Sequence, residues 1–145
     1  MRALITGGAG FIGANLVNYL SEKYPEDRII VLDILTYAGS VENLPKNMLQ
    51  GQHPLRRFWY GNVCNAALVD TLVEEADVVI HLAAETHVTR SIFDSLLFFQ
   101  TDVLGTQTVA NAIVKAAARS SDSSTYRAPR FTGTHPTKRW TRSIH

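Results

Sequence analysis

Four glycines crowd one short stretch near the amino terminus, Thr6-Gly7-Gly8-Ala9-Gly10-Phe11-Ile12-Gly13. An apolar run, Ala3 to Ile5, leads into it, and an amphipathic stretch, Asn15 to Leu20, leads out. Gly8, Gly10 and Gly13 fit the spacing G-x-G-x-x-G; Gly7, Gly10 and Gly13 fit the wider G-x-x-G-x-x-G. A strand, a tight glycine turn and a helix start aim backbone N–H groups and the positive end of a helix at one point. That arrangement suits a pyrophosphate, and a side chain at the glycine of closest approach would block it. Glycine turns after strands also occur as plain structural turns, so a second residue has to decide. Asp33 closes the next apolar run, Ile29 to Leu32, about 20 residues beyond the last glycine. A carboxylate there accepts hydrogen bonds from ribose hydroxyls and repels a 2′-phosphate.

The elements that must hold these residues follow from the pattern of apolar residues. Strands are predicted at Arg2 to Thr6, Arg28 to Leu32, Arg57 to Tyr60 and Asp77 to Leu82. Helices are predicted from Phe11 to Lys23, stopped by Pro25, from Ala66 to Glu75, and from Leu96 to Ala117. A short helical turn is expected near Val41 to Leu44, and Gln50 to Pro54 reads as irregular. The strand at Asp77 to Leu82 is β-branched, as a buried parallel strand requires. Alternating strands and helices behind a glycine turn imply an α/β fold. The expected form is a partial Rossmann-like, doubly wound parallel sheet. Right-handed crossovers then give the spatial order 3-2-1-4, with a ligand crevice at the carboxyl ends of strands one and four.

Composition narrows the classes. The chain has 145 residues, a formal net charge of +1 and 46% hydrophobic residues, enough for one domain with a core. Near-neutral charge argues against nucleic acid as the main partner. No apolar run is long enough to span a bilayer, and Met1-Arg2 leads straight into a strand rather than a signal peptide. A cytoplasmic location is the expectation. The single cysteine, Cys64, permits no internal disulfide and reads as a small residue at a strand end. No His-x-x-x-His spacing or cysteine pair supports a metal site.

Further blocks recur in order along the chain: Leu32-Asp33-Ile34-Leu35-Thr36-Tyr37-Ala38-Gly39, Gly61-Asn62-Val63-Cys64, His81-Leu82-Ala83-Ala84-Glu85-Thr86-His87-Val88-Thr89-Arg90-Ser91-Ile92, and Thr101-Asp102-Val103-Leu104-Gly105-Thr106. With the glycine turn, they make residues 1 to about 115 resemble the extended short-chain dehydrogenase/reductase family. These are the NAD-dependent epimerases and dehydratases of nucleotide sugars, and the pattern is most like their dTDP-glucose 4,6-dehydratase branch. The resemblance implies NAD as cofactor. Gly7, Gly10, Phe11, Ile12 and Gly13 would meet its pyrophosphate, and Asp33 the adenosine ribose. Leu35, Thr36 and Gly39 would line the same pocket. Asn62 and Val63 would lie at the adenine, with Asn standing where the family usually has an acid. Leu82, Ala83, Ala84 and Thr101 would run along the ribose and phosphates. Asp102 stands where the family commonly has Asn. Thr86, His87 and Arg90 would face a nucleotide-sugar substrate. A homodimer through the Leu96–Ala117 helix is the implied assembly.

Several residues carry two readings. An imidazole and a guanidinium at the crevice mouth suit a sugar hydroxyl or a phosphate. His87 could equally cap the loop, and Arg90 could pair with Asp94. Glu85 could be a catalytic acid or a loop carboxylate holding backbone N–H groups. His81, inside an apolar strand, reads as a hydrogen-bonded core histidine.

The family's chemistry also needs a tyrosine activated by a lysine four positions on, in a helix beyond the Leu96–Ala117 one. The chain is expected to lack that pair, and no catalytic residue is assigned. Residues 1–118 are expected to form the NAD-binding domain. Residues 119–145 have almost no hydrophobic periodicity and are expected to be disordered or irregular, leaving strand four as an exposed edge. Their codons suggest a cause. Read two bases along, Asp122 to Gly133 permit R-F-I-H-I-S-S-T-E-V-Y-G, and Lys138 to Ile144 permit M-D-E-E-H-P. Both strings resemble the family's next strand and loop, so the tail reads as frameshifted, with the slip between Lys115 and Ser121. Ala128-Pro129 cannot give Asp in that frame, which leans toward a decarboxylase, an epimerase or an atypical dehydratase of the same family. Outside catalysis, the candidates are a non-catalytic NAD-binding module and a structural domain that binds no nucleotide.

Overall fold

The computed structural model describes residues 1–49, 53–86, 95–121 and 130–133. Its strands are β1 (Arg2–Thr6), β2 (Arg28–Asp33), β3 (Arg56–Tyr60), β4 (Val78–His81) and β5 (Arg130–Gly133). Its helices are α1 (Phe11–Lys23), α2 (Lys46–Leu49), α3 (Ala66–Glu74), α4 (Ser95–Phe98) and α5 (Thr106–Ser121). A π-helical segment, Phe99–Gly105, joins α4 to α5. A single 3-10 turn covers Val41–Asn43.

The five strands pair in the order β3-β2-β1-β4-β5. Every pairing is parallel, with Ala3 beside both Ile29 and Val78. The expected order 3-2-1-4 therefore stands, and one expectation about the tail does not. Residues 130–133 form β5 against β4, so β4 is interior and β5 takes the edge. Backbone pairing needs no hydrophobic period, so the side-chain pattern of that stretch does not mark a strand. The long helix also starts at Ser95 and runs on to Ser121, past the expected limits, because no Gly or Pro stops it. The four-residue α2 was not anticipated; four residues carry too little period to read.

Strand alternation sends side chains to two cores. Leu4, Ile30, Leu32 and Val79 pack with Val69, Leu72 and Val73 of α3 and Val109, Ala112 and Ala116 of α5. On the other face Ile5, Ile29 and Val31 meet Val17 of α1, with Leu44 and Met48 closing the edge. Asn65 caps α3 by accepting from Leu68 N at 3.3 Å. Lys115 pairs with Asp70 at 2.8 Å, and Arg119 pairs with Glu74, clamping α5 to α3. Leu96, Phe99 and Val103 remain exposed along the outer side of the α4–π–α5 helix, on the element expected to meet a second copy.

Arg56 anchors the far end of α1. It is 3% exposed, and its guanidinium donates to the carbonyls of Tyr24 and Pro25 at 3.1 Å and of Ser21 at 3.4 Å. It also bonds the Asp27 carbonyl. These are oxygens at the negative end of α1 and in the turn after it, which a buried cation satisfies. Burial pulls this guanidinium below its usual pKa, and the Asp27 and Glu26 charges oppose that pull. Arg56→Met removes every one of those donors while keeping an apolar stem. We expect a loss of about 2–4 kcal/mol in urea unfolding. A change within about 0.5 kcal/mol would show that water satisfies the carbonyls instead.

Candidate functional site

The glycine turn, Asp33 and the residues Leu82 to Glu85 sit where parallel strands end. Gly7 N donates to Leu32 O at 2.9 Å and Leu82 N donates to Thr6 O at 3.0 Å, so the loops after β1, β2 and β4 start from one line. Gly7 has φ of +70°, and a Cβ there would lie 2.5 Å from Ala83 N. A Cβ on Gly13 would collide with the Gly7 carbonyl and lie 2.6 Å from Gly8 Cα. These two glycines let α1 begin directly beneath the β1 turn. Gly10 is different. A Cβ there would meet only Gly7 O, at 3.4 Å, so the space in front of it is open. Gly10 is also the N-cap of α1, and no side chain caps that helix. The first N–H groups of a 13-residue helix therefore face the open side.

That open side is a cleft of about 130 Å³. It brings together eleven of the expected cofactor residues: Gly7, Gly10, Asp33, Thr36, Gly39, Asn62, Val63, Leu82, Ala83, Ala84 and Thr101. Phe11 lies instead on a neighbouring depression with Asn15 and Asn43. Phe11 and Ile12 are 83% and 67% exposed and offer the cleft backbone rather than side chain. Gly13 is buried beneath the turn, and Leu35 lies just outside the cleft with φ of +54°. Thr86 is exposed. His87 and Arg90 lie outside the described residues. The cleft adds Leu32, Ile34, Ala38, Gly61, Glu85 and Leu97, of which all but Leu97 fall inside blocks already quoted. Leu97 had no signal, since its side chain reaches the cleft only through the path of the helix.

Asp33 is preorganised. Its Oδ2 accepts from Ala9 N at 2.9 Å and its Oδ1 from Leu35 N at 2.8 Å. Each oxygen keeps a further lone pair for a hydroxyl. Asn62 Oδ1 accepts from Cys64 N at 2.8 Å, which turns its carbonyl into the loop. Asp102 Oδ1 accepts from Glu85 N at 2.8 Å, so a carboxylate does make a loop-holding bond at that position.

His81 is the core histidine expected. Its Nδ1 lies 2.6 Å from Thr6 Oγ1 and its Nε2 lies 3.1 Å from Thr106 Oγ1. The Thr106 hydroxyl donates to Asp102 O at 2.6 Å, so its oxygen accepts from His81 Nε2–H. Nδ1 then accepts from the Thr6 hydroxyl, and Thr6 Oγ1 receives Ala83 N–H at 3.4 Å. This relay of fixed protons ties β1, β4, the cleft wall and α5 around one neutral imidazole.

One expectation needs correction. The sequence does contain Tyr-x-x-x-Lys spacing, at Tyr19 and Lys23, and Lys23 Nζ donates to the Tyr19 hydroxyl at 2.5 Å. The hydrogen bond to Tyr19 holds Lys23 above its usual 10.5. Lys23 also lies 5.0 Å over the Tyr19 ring. This pair sits at the end of α1 remote from the cleft, with Lys23 about 18 Å along the helix from its start. It is a surface pair and not part of the site. Among the described residues no three His, Cys, Asp or Glu side chains are placed to hold a metal ion. No described helix is long and apolar enough to cross a membrane.

The family model for GDP-mannose 4,6 dehydratase matches residues 4–128. The chain belongs to this family. It is 47% identical over 116 residues to the low-salt glycan biosynthesis protein Agl12 of Haloferax volcanii, covering 80% of this chain and 36% of that protein. Its fold matches a dTDP-glucose 4,6-dehydratase of Streptomyces venezuelae crystallised with NAD, with a TM-score of 0.71 and 43% identity over 81% of this chain and 37% of that one. A dTDP-glucose 4,6-dehydratase of Bacillus anthracis in complex with NAD matches with a TM-score of 0.71 and 29% identity, over 99% of this chain and 43% of that one. The chain spans about a third of the length of the curated relatives it matches.

The relay fixes a pH dependence. Burial pulls His81 below its usual 6.5, with the Asp102 charge opposing. As pH falls, the unfolded chain takes up this proton first. The contribution of His81 to stability is therefore full above pH 6.5 and is lost as pH drops below it. Urea unfolding between pH of about 7.5 and 5.5 should show wild type losing more stability than His81→Gln. Equal slopes would mean the imidazole is not held neutral.

Proposed function

We propose that the cleft binds NAD and that the chain is the cofactor-binding part of an NAD-dependent nucleotide-sugar 4,6-dehydratase of the dTDP-glucose type. The observation that carries this reading is the empty position in front of Gly10, at an uncapped helix start, with Asp33 held ready beside it. The backbone N–H groups at the start of α1 would receive the pyrophosphate. Asp33 would accept from the adenosine ribose, and Asn62 and Val63 would border the adenine. Leu82, Ala83, Ala84 and Thr101 would form the opposite wall. When bound, NAD supplies a hydride acceptor for a sugar carbon. Thr86, His87 and Arg90 would meet the nucleotide-sugar. The 145 residues by themselves are proposed to bind without turning over dTDP-glucose, because their one Tyr-x-x-x-Lys spacing lies on the wrong end of α1.

NAD at about a hundred times its dissociation constant should raise the unfolding free energy by about 2.7 kcal/mol. NADP should bind at least about tenfold more weakly, since its 2′-phosphate meets the Asp33 carboxylate. Gly10→Ala should unfold like wild type and lose NAD binding. Wild type gaining no stability from NAD would remove the nucleotide reading. Formation of a 4-keto sugar from dTDP-glucose would remove the claim of inactivity.

We also propose that residues 119–145 come from a shifted reading frame. The support is the run of permitted codons for R-F-I-H-I-S-S-T-E-V-Y-G and M-D-E-E-H-P. The S-T-E in that string keeps an epimerase or decarboxylase as the second reading. Sequencing the gene through Lys115 and beyond His145 decides the matter. An intact frame that nowhere restores these strings would rule the shift out.

A further inference from the structure

The sheet ends at β3. It has β2 on one side and, among the described residues, no strand on the other. Ile29 N donates to Leu55 O at 2.8 Å, and Gly61 N donates to Asp33 O at 3.0 Å. Ile29 stands beside Arg56 and Asp33 beside Tyr60, so strand alternation turns the backbone groups of Arg57 and Trp59 toward β2. Those of Arg56, Phe58 and Tyr60 turn outward. The Arg56 N–H goes to His53 O at 3.1 Å. Along the edge this leaves the N–H groups of Phe58 and Tyr60 and the carbonyls of all three residues.

Proteins commonly blunt such an edge with proline, a bulge or free charge. β3 has no proline, and its register with β2 is unbroken. Its two cations are already paired inside the chain. Arg56 is buried on the carbonyls that follow α1. Arg57 Nη1 lies 3.0 Å from Glu75 Oε2, and its guanidinium lies 5.6 Å from the centre of the Trp59 ring. Arg57 and Trp59 share the α3 face of the sheet with their neighbours Ile30 and Leu32. Trp59 and Tyr60 are 39% and 68% exposed.

We propose that β3 is a docking edge for a second copy of this chain, joined antiparallel about a twofold axis through Phe58. The strand Arg56-Arg57-Phe58-Trp59-Tyr60 is complementary to itself about that residue. Each Phe58 N–H donates to the partner's Phe58 carbonyl, and each Tyr60 N–H donates to the partner's Arg56 carbonyl. Arg57 then falls opposite the partner's Trp59. That is a non-hydrogen-bonded pair, where side chains of an antiparallel ladder come closest. Each indole faces a guanidinium of its own chain and one of the other. The contact is isologous and closes at two copies. One five-residue strand per copy is a small interface, so the dimer forms at high concentration and separates on dilution. It is independent of what the cleft binds.

Sedimentation equilibrium of the full chain over a rising concentration series tests this. Wild type should pass from monomer to dimer. Tyr60→Pro removes an outward N–H and keeps the bonds to β2, and should weaken the dimer about tenfold or more. Trp59→Lys sets a like charge opposite the partner's Arg57 and should weaken it as much. Trp59→Glu sets an opposite charge there and should dimerise within about threefold of wild type. Urea unfolding at low concentration reports that each variant is folded, and the Trp59 pair decides if Tyr60→Pro is not. Phe99→Glu, on the exposed side of the long helix, should leave the dimer unchanged. Wild type staying monomeric throughout would overturn the proposal, as would Trp59→Lys and Trp59→Glu dimerising alike. A dimer abolished by Phe99→Glu and kept by Tyr60→Pro would also overturn it, and would put the second copy on the helix instead.

Discussion

The start of α1 lies against the turn that precedes it at backbone distance. Gly13 rests on the Gly7 carbonyl with no room for a methyl group, and Gly7 in turn leaves no room against Ala83. Three chain segments, from β1, α1 and the loop after β4, are stacked at backbone distance. Everything at the cleft depends on that stack. It sets where the first N–H groups of α1 point, how far Asp33 stands from them, and where Leu82 to Glu85 run. A packed interior transmits small volume changes, so one added carbon here would displace the site as well as the core.

The interior polar groups reinforce the same alignment from below. Thr6, His81, Thr106 and Asp102 form a chain in which each proton has one assigned place. Hydrophobic packing fixes the distance between sheet and helices but is tolerant of sliding. A hydrogen-bonded relay is not, since a shift of one residue would leave buried donors facing donors. Arg56 does the equivalent at the other end of α1, where it gathers carbonyls that no helix can satisfy by itself. The helix is thus fixed at its start by shape and at its end by charge.

Much of this was legible in the sequence, for reasons that differ by residue. β1, β2 and β4 announce themselves as apolar runs because both faces of a central parallel strand are buried. Gly7 and Gly13 are visible because no other residue fits their positions, Gly10 because its spacing completes the turn, and Asp33 because its distance from them is set by one helix and one strand. Glu85 was visible as a residue but its burial was not, since burial depends on how the loop after β4 packs. β5 was invisible, because main-chain pairing leaves no mark on residue type. The Tyr19–Lys23 pair shows the converse: a spacing present in the sequence acquires meaning only from the end of the helix it occupies.

The π-helical segment has a bearing on how this chain can change. A π turn holds more residues than the α turn it replaces, and it lies between Ser95–Phe98 and the core-facing helix Thr106–Ser121. Its widened backbone leaves the Gln100 carbonyl to accept the Cys64 thiol at 3.1 Å. Deleting one residue there would tighten the segment toward α and swing everything ahead of it by about 100° around the axis, while Val109, Ala112 and Ala116 kept their seats. Leu97 would leave the cleft, and Phe99 would move off the outer side. The segment is therefore a phase setter: one residue of length decides which surface the first half of the helix shows to the ligand and which to the outside.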